Sequence, residues 1–238
     1  TGDEQAGARP MGPLLDALYD IGAGVMPPTA NGLPFAITGR NDLPGGPLLI
    51  DSSTSSQFVS GLLMIGARCS QGLDIRHVGE SLPSRPHIDM TVAMLRARGV
   101  RIDDSNERRW VVAPGPIRAR DVTIEPDLSN AAAFLAAAVI TDGSIAVPNW
   151  PVRTDQPGDR IRDILTAFGA SVQLHDGVLT VSGSSQLRGV DLDLSEVSEL
   201  TPVVAALASV ARDTSHLRGI GHIRGHETDR LAALELEL

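Results

Sequence analysis

The sequence has 238 residues, 42% of them hydrophobic, with 29 acidic against 20 basic side chains and a formal net charge of −9. That is enough apolar material for one large core or two smaller ones, and bases this scattered on an acidic chain argue against nucleic acid as a partner. No apolar run reaches membrane-spanning length, no basic segment followed by an apolar one marks a leader, and a single cysteine, Cys69, fits a reducing, cytoplasmic location without disulfides.

In chain order, residues 9–22 read as a helix that Gly22 ends. The segment Asp51-Ser-Ser-Thr-Ser-Ser-Gln57 then places five hydroxyls at the start of an apolar helix, 55–68. Hydroxyls and backbone N–H groups at a helix start can cradle phosphate, while ordinary capping needs only one such residue. Both readings stay open for Ser55, Ser56 and Gln57. A short strand over 72–78 leads to Ser81-Leu-Pro-Ser-Arg-Pro-His-Ile-Asp89, where Ser84 and Arg85 stand before a proline that opens a second helix. A guanidinium beside Ser84 could complete an anion site, and an Arg-Pro helix entry is also common. This second helix places Ile88, Val92 and Leu95 on one stripe, as expected of a helix half in water.

A strand at 110–113 is followed by a Pro- and Arg-rich stretch, 113–120, which is the natural boundary between two domains, 1–118 and 119–238. Beyond it come an all-apolar helix at 129–140, strands at 143–147 and 177–182, and a third apolar helix at 200–212 that Glu199 opens. A glutamate there can simply favour the helix dipole, or it can act as a general base on a ligand. Gly225-His-Glu-Thr-Asp-Arg230 packs His226, two carboxylates and Arg230 into one more helix start, with Thr228 or Asp229 able to cap it. His222 and His226 have no third partner nearby that would make a metal site, so none is expected.

These elements repeat. The strands after the three apolar helices begin near Gly72, Gly143 and Thr214, about 71 residues apart, and Asp89, Asp159 and Asp229 sit near the starts of the second helices. Gly22, Gly99 and Gly169 are the matching glycines that end second helices. Each copy reads as βαβαββ, so the fold class is α/β, built of repeated units in two similar domains. The apolar helices are expected inside and the mixed ones outside.

Taken together, Ala8-Arg-Pro10, Ser55-Ser-Gln57, Ser84-Arg-Pro-His-Ile-Asp89, Glu199-Leu-Thr-Pro202 and His226-Glu-Thr-Asp-Arg-Leu231 resemble the 5-enolpyruvylshikimate-3-phosphate synthases over essentially the whole chain. The resemblance implies an inside-out α/β barrel of two three-unit domains with a cleft between them. It implies enolpyruvyl transfer from phosphoenolpyruvate to the 5-hydroxyl of shikimate-3-phosphate, with those two small molecules as partners and no metal or organic cofactor. By the same resemblance, Ser55, Ser56 and Ser84 hold the shikimate phosphate and Gln57 lies between the substrates. Arg9 and Arg230 bind phosphoenolpyruvate, and Glu199 takes the hydroxyl proton where the family more often has aspartate. His226 stands where many members have lysine, and this chain has no lysine at all.

The family's N-terminal lysine, its Asn-Ala-Gly-Thr loop and its C-terminal arginine and lysine are not in the sequence. The chain is therefore expected to be an internal fragment that folds, is inactive alone, and self-associates through incomplete units. One rival is UDP-N-acetylglucosamine enolpyruvyl transferase, which uses a loop cysteine, whereas Cys69 ends an apolar helix. Another is a non-catalytic nucleic-acid clamp, which would need basic helices that this chain lacks.

Overall fold

The computed structural model of the chain describes residues 7, 10–184, 186–225 and 228–238. Two compact units form, one built on residues through Asp121 and the other on Val122–Arg224 and Asp229–Leu238.

In the first unit, helix α1 (Gly12–Asp20) precedes a hairpin of β1 (Gly24–Met26) and β2 (Ala36–Thr38). A complete βαβαββ unit follows: β3 (Gly46–Ile50), α2 (Gln57–Gly66), β4 (Leu73–His77), α3 (Arg85–Arg96), β5 (Ile102–Asn106) and β6 (Arg109–Val112). The sheet order is β3-β4-β6-β5, with β3 and β4 parallel and the other pairs antiparallel. A parallel pair needs a long crossover, and α2 supplies it. Register pairs Ile50 with His77, and the Val78 N–H donates to the Ile50 carbonyl at 3.0 Å, so both chains leave the sheet at the same edge.

Apolar periodicity accounts for the helices. In α3 the stripe of Ile88, Val92 and Leu95 is buried, and it meets Val59, Leu62, Leu63, Ile75 and Trp110 in one core. The mixed face stays outward, as its composition predicts. Asp74 on β4 takes bidentate bonds from Arg109 on β6, at 2.7 and 3.0 Å, and a second ion pair from Arg76.

The second unit holds α4 (Leu128–Ile140), β7 (Ser144–Pro148), α5 (Ile161–Phe168), β8 (Ser171–His175) and β9 (Val178–Ser182), the strands pairing antiparallel in the order β7-β9-β8. The third copy follows with β10 (Asp191–Asp193), α6 (Thr201–Ser209), β11 (His216–Arg218) and α7 (Arg230–Glu237), where β10 and β11 again run parallel about a crossover helix. Short 3₁₀ turns at Pro157–Arg160, Ser198–Leu200 and Gly221–Gly225 introduce the helices. Gly22, Gly99 and Gly169 have φ of 101°, 82° and 99°, the left-handed geometry that lets a helix end and reverse.

The apolar helices are less enclosed than their composition suggests. α4 packs against α5, α6, β7 and β9 and buries Leu128, Ala132, Leu135, Ala136 and Val139. Its other side leaves Phe134 67% exposed, and on α2 Met64 is 56% exposed. Uniform apolarity signals that a helix is able to be surrounded, and among the described residues only one side of each is covered.

The Asp74 carboxyl is held at about 2, first by the hydrogen bond from Arg109 and then by that from Arg76. A depressed carboxyl stabilises the fold above its unfolded value, about 3.9, and that contribution is lost as pH falls through about 2. Asp74→Asn therefore lowers the urea midpoint at pH 6, and the gap from the unsubstituted chain narrows between about pH 4 and pH 2. A gap that stays constant across that range contradicts the assignment.

Candidate active site

The parallel pair β3–β4 decides where the first set of candidate residues lies. Each strand is followed by a loop and a helix, and because both leave the sheet at the same edge, the starts of α2 and α3 belong to that edge. α2 and α3 pack side by side, with Thr91 Oγ1 donating to Ser60 Oγ at 3.2 Å. The helix that begins at Gln57 and the helix that begins just after Ser84 thus direct their first-turn N–H groups to a common end, which is where open α/β sheets take anionic ligands.

Capping explains only part of the serine cluster. Ser55 Oγ accepts the Gln57 N–H at 3.3 Å, and the Ser55 carbonyl accepts the Phe58 N–H at 3.4 Å. Ser56 occupies the cap position without a side-chain cap bond and is buried. A hollow beside this helix start is lined by Pro10, Met11, Leu14, Thr54, Ser55 and Gln57. Ser84 stands at the α3 cap with φ 50° and ψ 42°, a left-handed conformation that a residue with a Cβ adopts at a cost.

Arg85 does not complete an anion site with Ser84. Its guanidinium bonds Asp89 at 2.9 Å and the Glu107 carbonyl at 2.6 Å, and lies 5.4 Å from the Trp110 ring centroid. One charge with three partners inside the unit is a structural strut.

In the second unit Glu199 lies in the Ser198–Leu200 turn directly before α6, with both carboxylate oxygens shielded from solvent. Ser198 beside it is bonded through Oγ to His222 Nε2 at 2.9 Å, and burial lowers the His222 pKa below the ordinary imidazole value. The sequence offered His222 only as half of an unpromising metal pair, and nothing in its spacing announced the link to Ser198. Arg230 is the first residue of α7, and α6 packs on α7. Asp229 caps that helix, accepting from the N–H groups of Leu231 and Ala232 at 3.1 and 3.0 Å. Arg9 and His226 lie outside the described residues. Among the described residues no three His, Cys, Asp or Glu side chains gather to hold a metal ion.

Cys69 is buried in the first core, its Sγ 3.8 Å from the Ile65 carbonyl, and burial pushes the thiol pKa up. A thiol kept protonated and covered is a poor nucleophile.

With this geometry in place, comparison with known proteins identifies its kin. The family model described as EPSP synthase (3-phosphoshikimate 1-carboxyvinyltransferase) matches residues 1–238. Curated proteins named 3-phosphoshikimate 1-carboxyvinyltransferase from Kocuria rhizophila and Mycobacterium ulcerans are each 53% identical over all of this chain, which covers 54% and 55% of them. The chain therefore spans about half the length of the curated relatives it matches. Among solved structures, EPSP synthase from Acinetobacter baumannii aligns over 100% of this chain and 55% of its own, with TM-score 0.73 and 22% identity. The enolpyruvyl transferase NikO from Streptomyces tendae aligns over 88% of this chain and 51% of its own, with TM-score 0.67 and 21% identity. At such identity these two establish the fold.

Ser84 supplies a direct check on the local geometry. Ser84→Gly is expected to be at least as stable as the unsubstituted chain, whereas Ser84→Val is less stable by about 1–2 kcal/mol, the cost of a left-handed residue with a bulky Cβ. Equal urea midpoints for the two variants contradict the left-handed cap.

Proposed function

Because the chain belongs to the EPSP synthase family, we propose that it supplies a large share of an active site that transfers the enolpyruvyl group of phosphoenolpyruvate to the 5-hydroxyl of shikimate-3-phosphate. The observation that carries this reading is the pair of helix starts at one sheet edge, with Ser55, Ser56 and Gln57 on one and Ser84 on the other. Hydroxyls and helix-end N–H groups suit a phosphate monoester because they donate hydrogen bonds to its oxygens without needing a nearby cation.

In this reading Ser55, Ser56 and Ser84 hold the 3-phosphate and Gln57 lies between the two substrates. Arg9 and Arg230 take the carboxylate and phosphate of phosphoenolpyruvate, which a planar guanidinium fork matches. Glu199 accepts the proton of the 5-hydroxyl as its oxygen bonds to C2. The methylene carbon gains a proton and the tetrahedral adduct forms. That carbon then loses a proton while the bond from C2 to the phosphate oxygen breaks, so phosphate departs and the enol ether remains. His226, at the position where many family members have lysine, is assigned a catalytic role by the same resemblance. The chemistry asks for no metal or organic cofactor. A reading that needs a cysteine nucleophile finds no support in a covered Cys69 thiol whose pKa burial raises.

Two measurements test the proposal. Titration calorimetry of the chain with shikimate-3-phosphate should give saturable binding that the triple variant Ser55→Ala, Ser56→Ala, Ser84→Ala weakens by about 10³-fold, each of the three lost donors to a charged group contributing on the order of 1.5 kcal/mol. In an enzyme that turns over with these residues in place, Glu199→Gln lowers the rate of phosphate release about 10²- to 10⁴-fold, the usual worth of a general base. Unchanged affinity in the triple variant, or unchanged turnover in Glu199→Gln, overturns the corresponding assignment.

A further inference from the structure

His77 ends β4, is buried, and is bonded through both ring nitrogens. The Ser52 N–H donates to Nδ1 at 3.2 Å, and Nε2 lies 3.0 Å from the Ser81 carbonyl. A ring nitrogen that accepts from an N–H carries no proton, so the ring proton sits on Nε2 and is donated to Ser81. One imidazole therefore ties together the two loops that lead into α2 and α3.

The tie runs on toward the candidate phosphate groups. The Ser52 carbonyl accepts the Ser55 N–H at 3.2 Å, and Ser55 Oγ accepts the Gln57 N–H. On the other loop, Arg108 bonds the Gly79 and Glu80 carbonyls at 2.8 and 2.9 Å, while the His77 N–H returns to the Arg108 carbonyl at 2.9 Å. The loops touch at Gly79: a Cβ there would collide with Asp51 Oδ1 and Ser53 Oγ and come within 2.7 Å of His77 Cε1. This spacing is a close approach that only glycine permits.

The second unit also ties the loop before its second helix to the start of its apolar helix, though from a position just ahead of Asp159 rather than at the strand end. Gln156 Oε1 accepts the Leu128 N–H at the start of α4, at 3.1 Å, and two residues later a Cβ on Gly158 would stand 2.6 Å from Ser129 Oγ. In both copies a polar side chain two residues before a glycine binds the backbone entering the apolar helix. In the first copy that backbone carries the serines.

We propose that His77 is a positioning residue for the anion site, holding the 51–57 and 78–84 loops at the separation that lets Ser55, Ser56 and Ser84 serve one phosphate. The proposal rests on the reading of that site as the shikimate-3-phosphate cradle. His77 touches no substrate and acts through Ser52 and Ser81.

Three variants of the full chain separate this role from simple support of the fold. Asn places an amide oxygen where Nδ1 accepts from Ser52, Gln places an amide nitrogen where Nε2 donates to Ser81, and Ala does neither. Calorimetric affinity for shikimate-3-phosphate is expected to fall about tenfold in His77→Ala, of the order one lost loop-fixing bond produces. His77→Asn should recover to within about threefold of the unsubstituted chain and His77→Gln less, since only Asn restores the bond that leads on to Ser55. Affinities that do not change in His77→Ala, or that follow the thermal midpoints of all three variants with no rescue by Asn, overturn the proposal.

Amide hydrogen exchange, which needs no ligand, keeps the two readings apart. Faster exchange confined to 52–58 and 81–87 in His77→Ala supports the clamp, and unchanged exchange there rejects it. If the unsubstituted chain binds no shikimate-3-phosphate, the cradle reading fails, and the exchange result alone decides whether His77 fixes the loops.

Discussion

The parallel pairing of β3 and β4, in a register that sets Ile50 opposite His77, is the constraint from which the rest of the first unit follows. A parallel pair cannot be closed by a hairpin, so the chain must cross over, and α2 is that crossover. The same geometry sends the next loop out at the same edge and starts α3 beside α2. Two helix starts are thereby brought to one place, and Ser55 and Ser84, 29 residues apart in sequence, can address one ligand. Burial of the α3 stripe against Trp110, Ile75 and the α2 face holds the arrangement, and the His77 bonds set the distance between its loops.

The charge inventory explains why hydroxyls carry the anion reading in this unit. On a chain with net charge −9, many arginines are committed to carboxylates: Arg76 and Arg109 to Asp74, Arg96 to Asp104, Arg162 to Asp159 and Arg218 to Asp191. Arg85, beside the candidate cradle, is committed as well. Asp159 shows how firmly such pairs are set: burial pushes its pKa up, yet the bonds from Arg162 and Trp150 outweigh that and the net shift is downward. In the proposed reading, a phosphate near α2 and α3 meets neutral donors and helix ends, which bind without the desolvation cost of a further buried cation.

Much of this was legible in the sequence, because apolar periodicity and helix-ending glycines are local signals. The stripe of Ile88, Val92 and Leu95, the left-handed Gly22, Gly99 and Gly169, and the repeat of strand, apolar helix and strand all show in composition and spacing. The serine cluster was legible as a helix start, and the family's motifs gave it a chemical meaning that spacing alone left open. What did not show were features set by tertiary partners. Arg85 reads as a free guanidinium beside Ser84 until Asp89, Glu107 and Trp110 are placed around it. The exposed Phe134 lies on a helix whose uniform apolarity pointed inward. His77 is a single histidine at a strand end, and no local signal in the sequence announced its bonds to Ser52 and Ser81.

The central claim is that Ser55, Ser56, Gln57 and Ser84 form one phosphate-binding surface. Amide chemical shifts followed by ¹⁵N–¹H NMR during titration with shikimate-3-phosphate, with unphosphorylated shikimate as the control, test it most directly. The account predicts that the amides of Ser55, Ser56, Gln57 and the first turn of α3 shift together along one binding curve, and that shikimate moves them far less at equal concentration. Shifts confined to one of the two loops, or the same response to shikimate as to its phosphate ester, would contradict it.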